Sequence, residues 1–550
     1  MTAAALAAVL LLVGAASAWA AFVTEGSPYT VGDDPLSLNA ADFNGDGRPD
    51  VATINGTSSN VSVFLRQAGG GFAQEAGSPI AVGSGPSGAT VGDYNGDGRA
   101  DLAVASFVAG NVSVLLRQPG GGFALEGGAA ISLGARISAV AAGDFNSDGR
   151  LDLAATQNDG NQVVLLLRNG QNTGFSAPLP FATGATPVAI AVGDYNGDGL
   201  ADLAIANRSG DSATILLRVP GGTFSSEAAV PVGDDPVGIV AADFDGNGRA
   251  DLAVTNAATG TVSAFLRRPS NDGFTAEPPI PVSASPVGIA AADFDRNGRP
   301  DLAVAANAGA VEILRRNAGG GFTRDPSIPL VGAVNDVTAA DFDGDSRPDL
   351  AASSYTSATA DTFTVLLNPA PAPVAGKTVN VKPVSGKVTI KRPGSKRYVT
   401  LTAAAQIRVG SSIDTRRGRI AITAAQGGGR TASADFFDGL FKLTQTKGAK
   451  PVTTLKLTEK LSCAKANRAT IAAKKKKKRR LWGDGKGRFR TKGQFSSATV
   501  RGTRWLTQDR CASTLTRVVR GAVSVRDLVK RKTVIVRAGK RYTARAKRSK

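Results

Sequence analysis

Seven nine-residue stretches gather most of the chain's short oxygen side chains: DFNGDGRPD (42–50), DYNGDGRAD (93–101), DFNSDGRLD (144–152), DYNGDGLAD (194–202), DFDGNGRAD (243–251), DFDRNGRPD (293–301) and DFDGDSRPD (341–349). Positions 1, 3, 5 and 9 are Asp or Asn in every copy, and position 6 is Gly in all but the last. A hard cation such as Ca²⁺ asks for this arrangement. Carboxylate and amide oxygens converge from alternate positions, position 7 adds a backbone carbonyl, and a glycine allows the sharp turn. A single copy also reads as a solvated turn; seven at near-constant spacing point to Ca²⁺.

Other chemistry is scarce. The chain has no His, which excludes Ser-His-Asp and Cys-His catalysis and His-ligated zinc or haem. The two cysteines, Cys463 and Cys511, form no CxxC. They read as a disulfide closing a long loop, the alternative being two unpaired buried thiols. Acids outside the repeated loops, such as Asp33, Asp34, Asp234 and Asp235, sit in VGDDP turns and look structural.

The elements that must position the loops repeat with them. The motif recurs at intervals of 51, 51, 50, 49, 50 and 48 residues, a period typical of propellers and solenoids. Each unit carries a short apolar run before the acidic loop, an aliphatic run such as DLAVASF after it, a turn, a second run such as VSVLLRQ, and a Gly-rich turn leading to a Phe. Alternation and Gly/Pro punctuation predict four short strands per unit and no helix of useful length. The fold class expected is all-β: a seven-bladed β-propeller followed by a smaller basic β-rich domain. The last unit ends at its third strand, FTVLLN (363–368), whereas FVTEGSPYTVG (22–32) resembles the closing segments of the other units. The N-terminal strand is therefore expected to complete the last blade, which would otherwise leave an open edge.

These repeats resemble the FG-GAP family, also called VCBS repeats, familiar from integrin α-subunit propellers and many bacterial surface proteins; the resemblance covers about residues 22–368. It implies that each loop joins the first two strands of a blade and binds Ca²⁺, at up to seven sites. The implied ligands are Asp42, Asn44, Asp46 and Asp50; Asp93, Asn95, Asp97 and Asp101; Asp144, Asn146, Asp148 and Asp152; and Asp194, Asn196, Asp198 and Asp202. The later loops would use Asp243, Asp245, Asn247 and Asp251; Asp293, Asp295, Asn297 and Asp301; and Asp341, Asp343, Asp345 and Asp349. Two loops depart from the pattern, with Arg296 at position 4 of the sixth and Ser346 at position 6 of the seventh.

Charge divides the chain. Residues 371–550 hold 46 Lys and Arg against 7 Asp and Glu, a net of +39, whereas the first 370 residues carry a net of −20. The boundaries expected are a signal peptide at 1–20, from the apolar run AAALAAVLLLV, a propeller at 21–368, a Pro/Ala linker at 369–376 and a basic domain at 377–550. The last segment loosely resembles FecR-like β-domains through its stretches at 409–423 and 502–527. The run KKKKKRR (474–480) reads either as contact with a polyanion or as a solvated loop. Nearby Trp482, Phe489 and Trp505 read either as stacking groups or as core.

Three functions compete. The first is a secreted or surface-associated, non-catalytic module that recognises a protein or glycan ligand. The second is an extracellular polysaccharide lyase or hydrolase built on the propeller. In the third, the basic domain is the effector and binds a polyanion such as heparin, DNA or an anionic envelope polymer of teichoic type.

Overall fold

In the computed structural model, residues 22–26, 28–219, 223–356, 360–370, 373–401, 404–459 and 478–546 are described. The expected signal segment, Cys463 and Lys474 to Lys477 lie outside them. Two compact units emerge: Phe22–Asn368, and a second that holds Pro369–Lys550.

The first unit is a seven-bladed propeller of antiparallel sheets. Blade two is representative, with strands Pro86–Gly92, Asp101–Ser106, Asn111–Arg117 and Phe123–Leu125. All six residues of that second strand are buried, as are those of the equivalent strands in blades one and three to six. Both faces of a middle strand meet a neighbouring blade, so the sequence there runs apolar and small (DLAVAS, DLAATQ, DLAIAN) instead of alternating. The first strands of successive blades lie side by side, and that of blade one, Pro35–Ala41, also meets that of blade seven, Ala333–Ala340. The ring is closed.

Closure follows the expectation. Val23–Thr24 and Tyr29–Thr30 pair antiparallel with the third strand of blade seven, with Val23 opposite Leu367 and Tyr29 opposite Phe363. The Tyr29 ring stacks on Phe363 at 4.9 Å, and Phe22 meets Phe294 edge-on at 5.7 Å.

Seven apolar clusters fill the seams between blades, and each contains the aromatic residue at motif position 2: Phe43, Tyr94, Phe145, Tyr195, Phe244, Phe294 or Phe342. None of these rings is more than 2% exposed. The loop is thus anchored in the seam by the residue between its first two oxygen-bearing side chains.

The second unit is one sheet of 13 strands. Seven of them close on themselves in the order Ser412–Gly427, Arg430–Phe437, Lys478–Gly485, Ser496–Arg510, Phe489–Lys492, Thr453–Leu457 and Leu440–Gln445, the last pairing back to the first. Such a barrel has no free edge. Phe436, Phe441, Phe489 and Trp505 fill its interior, so Phe489 and Trp505 are core residues. Trp482 points to the other face and stacks on Phe437. Cys511 is disulfide-bonded.

Candidate metal centres

Each acidic loop links the first strand of a blade to the second, its ninth residue opening that second strand. The backbone folds in the same way in all seven. At position 1, Asp42 accepts the amides of Asp46 (3.0 Å) and Gly47 (2.6 Å). Asp93, Asp144, Asp194, Asp243, Asp293 and Asp341 repeat both bonds in their own loops. The position-3 oxygen accepts the position-5 amide, as Asn44 does from Asp46 at 3.0 Å, and the position-5 oxygen accepts the position-7 amide, as Asp46 does from Arg48 at 3.0 Å. The oxygens of positions 1, 3 and 5 are therefore held by the loop's own amides.

This turn needs two left-handed residues, not one. Position 6 has φ between 80° and 87° where it is Gly, and Ser346 takes 65°. Position 4 is left-handed as well, from Gly45 at 74° to Ser147 at 62° and Arg296 at 61°. Neither Arg296 nor Ser346 breaks the loop; each side chain is carried in a conformation that costs an L-residue about 1 kcal/mol.

Position 9 does double duty. Asp50, Asp101, Asp152, Asp202, Asp251, Asp301 and Asp349 are fully buried. One oxygen accepts an amide from the loop's start, as Asp101 does from Tyr94 at 2.9 Å. The other accepts the amide at the end of the third strand, as Asp101 does from Arg117 at 2.7 Å. Burial drives these carboxyls up to about 6, and Asp349 to about 7; the amides oppose the rise, and neighbouring loop carboxylates add to it. Such carboxylates gain from a nearby cation.

Carboxylate oxygens converge within 4.8 Å in three loops: Asp243, Asp245 and Asp251; Asp293, Asp295 and Asp301; and Asp341, Asp343 and Asp345. In loops one to three, which have Asn at position 3, the position-7 arginines Arg48, Arg99 and Arg150 instead pair with Asp46, Asp97 and Asp148. Where position 5 is Asn247, the corresponding Arg249 turns away to Asn271. Every donor set is oxygen only, the ligand chemistry of Ca²⁺. The residues fit that ion, which when bound would supply the positive charge the buried aspartates lack.

Sequence reasoning missed a second repeated device. A buried arginine lies at or just beyond the end of the third strand of blades one to six, its guanidinium over a Phe near the start of the segment that pairs back, at 4.7–5.0 Å in five blades and 5.8 Å at Arg218. Five of these arginines reach a glutamate of the preceding blade's closing segment: Arg66 to Glu25, Arg117 to Glu75, Arg168 to Glu126, Arg267 to Glu227 and Arg316 to Glu277. The glutamate lies three residues after the Phe; at the fourth junction Pro178 holds that place, and Arg218 faces no carboxylate among the described residues. Asp34 and Asp235, outside the loops, are turn residues with φ of 59° and 58°.

Family models of the FG-GAP-like repeat match residues 42–104, 93–155, 144–205, 194–254 and 293–352. The propeller half of the chain belongs to the FG-GAP-like repeat family. No curated protein matches the chain. Among solved structures it is similar to BBS1N, crystallised in complex with ARL6DN and soaked with mercury, at 13% identity and a TM-score of 0.45, covering 63% of this chain and 97% of that one. It is also similar to a functionally unknown protein of Desulfotomaculum acetoxidans DSM 771, at 14% identity and a TM-score of 0.41, covering 55% and 87%. In the FG-GAP blades described here, the acidic loops and the Arg–Phe hairpins share one face of the ring. The hairpins between second and third strands occupy the other. Among the described residues no helix is long and apolar enough to cross a membrane.

Proposed function

We propose that this FG-GAP propeller is a non-catalytic recognition module of a secreted or surface-associated protein, braced by Ca²⁺ in its acidic loops, with the basic unit attaching it to an anionic envelope polymer. The observation that carries the reading is the position-9 aspartate: seven buried carboxylates, each beside further loop oxygens, with burial lifting every one. A cation relieves that cost, and in doing so ties the first, second and third strands of the blade together. Almost every clustered acid of the propeller is committed to such a loop, which favours the non-catalytic reading. Ligand recognition then falls to the hairpins of the opposite face.

Extracellular modules of this ligand type bind Ca²⁺ at about 10⁻⁴–10⁻³ M, so millimolar Ca²⁺, at about one to ten times Kd, adds about 0.4–1.4 kcal/mol per site. Full-length protein should melt several degrees higher in millimolar Ca²⁺ than in EDTA. An unchanged melting temperature sinks the structural-calcium reading. A glycan and matrix array, probed with and without Ca²⁺, identifies the ligand. Turnover in a glycan-degradation screen, abolished by changing one acid outside the loops, would instead establish the enzyme reading.

A further inference from the structure

The closed barrel of the basic unit carries a row of lysines that its sequence does not announce. Lys442 lies directly opposite Lys456 in antiparallel register, and Lys456 opposite Lys492 in parallel register. Three exposed lysines thus stand side by side across three consecutive strands, whose backbones lie about 4.8 Å apart. Their neighbours Phe441, Leu443, Leu455 and Leu457 are buried in the barrel, so the row faces outward. Two residues along the same face runs a second row, Thr444, Thr454, Arg490 and Thr499, in which Arg490 donates to the Thr499 hydroxyl at 3.0 Å. Among the described residues no carboxylate pairs with any of these four cations. Asp414, further along the face beyond Ser412, is held by Arg416 through both carboxylate oxygens.

Like charges directly opposite destabilise a sheet. Lysines are often placed on free strand edges to prevent aggregation, but these three strands are interior members of a closed barrel and have no edge to protect. Repulsion of this kind is relieved by a ligand that brings negative charge at matching intervals.

We infer that the Lys442–Lys456–Lys492 row is a binding comb for a carboxylated polysaccharide. This deepens, and rests on, the attachment role proposed for the basic unit. Each ammonium acts as a point charge, and lysines set at a strand spacing of about 4.8 Å suit a polymer that carries one carboxylate per sugar unit. The threonine row offers hydroxyls to sugar hydroxyls. No aromatic side chain lies in either row, which argues against single-stranded nucleic acid, whose bases need stacking surfaces. Duplex DNA, with one charge per 1.7 Å or so, is denser than three lysines at strand spacing can match.

The test uses full-length protein and immobilised polygalacturonate at low and moderate salt, with dextran sulfate and DNA as comparison ligands. Lys442→Thr, Lys456→Thr and Lys492→Thr are combined in one variant; Lys530→Thr, Lys532→Thr and Lys540→Thr, equally exposed and equal in charge, form the control. The comb variant should bind polygalacturonate at least tenfold more weakly with a shallower salt dependence, the control less than threefold more weakly. The comb variant should also melt no lower than wild type, because it relieves repulsion. Equal weakening by both variants overturns the comb while leaving attachment intact. Wild-type binding to DNA or dextran sulfate but not to polygalacturonate overturns the polymer class. Absence of binding to all three overturns the attachment reading itself.

Discussion

Replacing Glu75 by Ala should lower the stability of the propeller more than any change to an exposed residue. Both carboxylate oxygens of Glu75 accept from Arg117, at 2.7 Å each, across the seam between blades one and two. Its side chain is 7% exposed and that of Arg117 is 3%. Burial alone would push the Glu75 carboxyl up, yet the Arg117 hydrogen bonds, the Gly122 amide and the Arg117 charge outweigh it and hold it below its ordinary value. Removing the acid strands a buried guanidinium, a loss of about 3–5 kcal/mol. For a unit of roughly 350 residues, unfolding entropy near 2.1 cal/mol/K per residue converts this to a fall of about 4–7 °C in Tm. Replacing both partners, Glu75→Leu with Arg117→Met, should recover most of the loss, because a buried pair contributes little beyond an apolar pair of similar volume.

The fourth junction provides a control within the same chain. Arg218 is as buried as Arg117, at 3%, but Pro178 stands where the glutamate would be. Its guanidinium donates instead to the carbonyls of Val219 and Thr223, at 3.0 and 3.2 Å, and its Nε has no partner. Arg218→Met should therefore change stability by less than about 1 kcal/mol, roughly the worth of ordinary hydrogen bonds. Calorimetry of full-length variants, following the propeller transition, reads both effects. If Glu75→Ala shifts Tm by under a degree, or Arg218→Met shifts it as far as Glu75→Ala, the glutamate–arginine pairs are not what couples the blades.

Other outcomes follow from the loops and the closure. The position-9 aspartates bind protons more tightly folded than unfolded, since burial raises them to about 6 from an ordinary 3.8. In EDTA their contribution should therefore fall as pH rises from about 4 to about 6 and stay low above, while the Tm gain from Ca²⁺ should grow over the same window; melts across that range check both signs. Ser346→Gly relieves a left-handed L-residue at φ 65° and should raise stability by about 1 kcal/mol in the absence of Ca²⁺, measured by denaturant unfolding. Deleting residues 22–30 removes the strands paired to Thr362–Leu367 and should produce dimers or aggregates by light scattering, whereas an unaltered monomer would mean the ring closes without them.

What the sequence made legible and what it hid differ for a physical reason. Blade number, strand order and the N-terminal closure were readable because each rests on spacing within one repeat, where Asp, Gly and Phe recur in phase. That positions 1, 3 and 5 share one turn was readable on the same ground. Position 9 was only half readable. Its carboxylate looks like a ligand in sequence, yet it is also the acceptor for a strand 16 residues on, and only burial reveals that. The glutamate–arginine pairs were hidden because their partners lie in neighbouring repeats, 42 residues apart for Glu75 and Arg117. A search confined to one repeat sees an isolated Glu and an isolated Arg. The lysine row was hidden further still, since no period links 442, 456 and 492, and one of its two contacts is parallel. KKKKKRR is conspicuous as letters, but adjacency in sequence does not place side chains on one face; strand register does.

The same distinction bears on where each half of the chain has freedom to act. In the propeller, acidic groups answer to the scaffold: loop oxygens hold loop amides, position-9 carboxylates hold strand amides, and glutamates hold the neighbouring blade. Apart from a cation seated among the loop oxygens, a ligand that needed those acids would have to displace these bonds, so the recognition proposed for this unit falls to hairpins that can vary without touching a brace. In the basic unit the reverse holds. Its few acids are paired, as Asp414 with Arg416 and Asp509 with Arg479, and most of its cations have no internal counter-charge to answer. Unneutralised charge arranged by register on a rigid barrel wall is available to a partner, and strand spacing then selects how closely that partner's charges must follow one another.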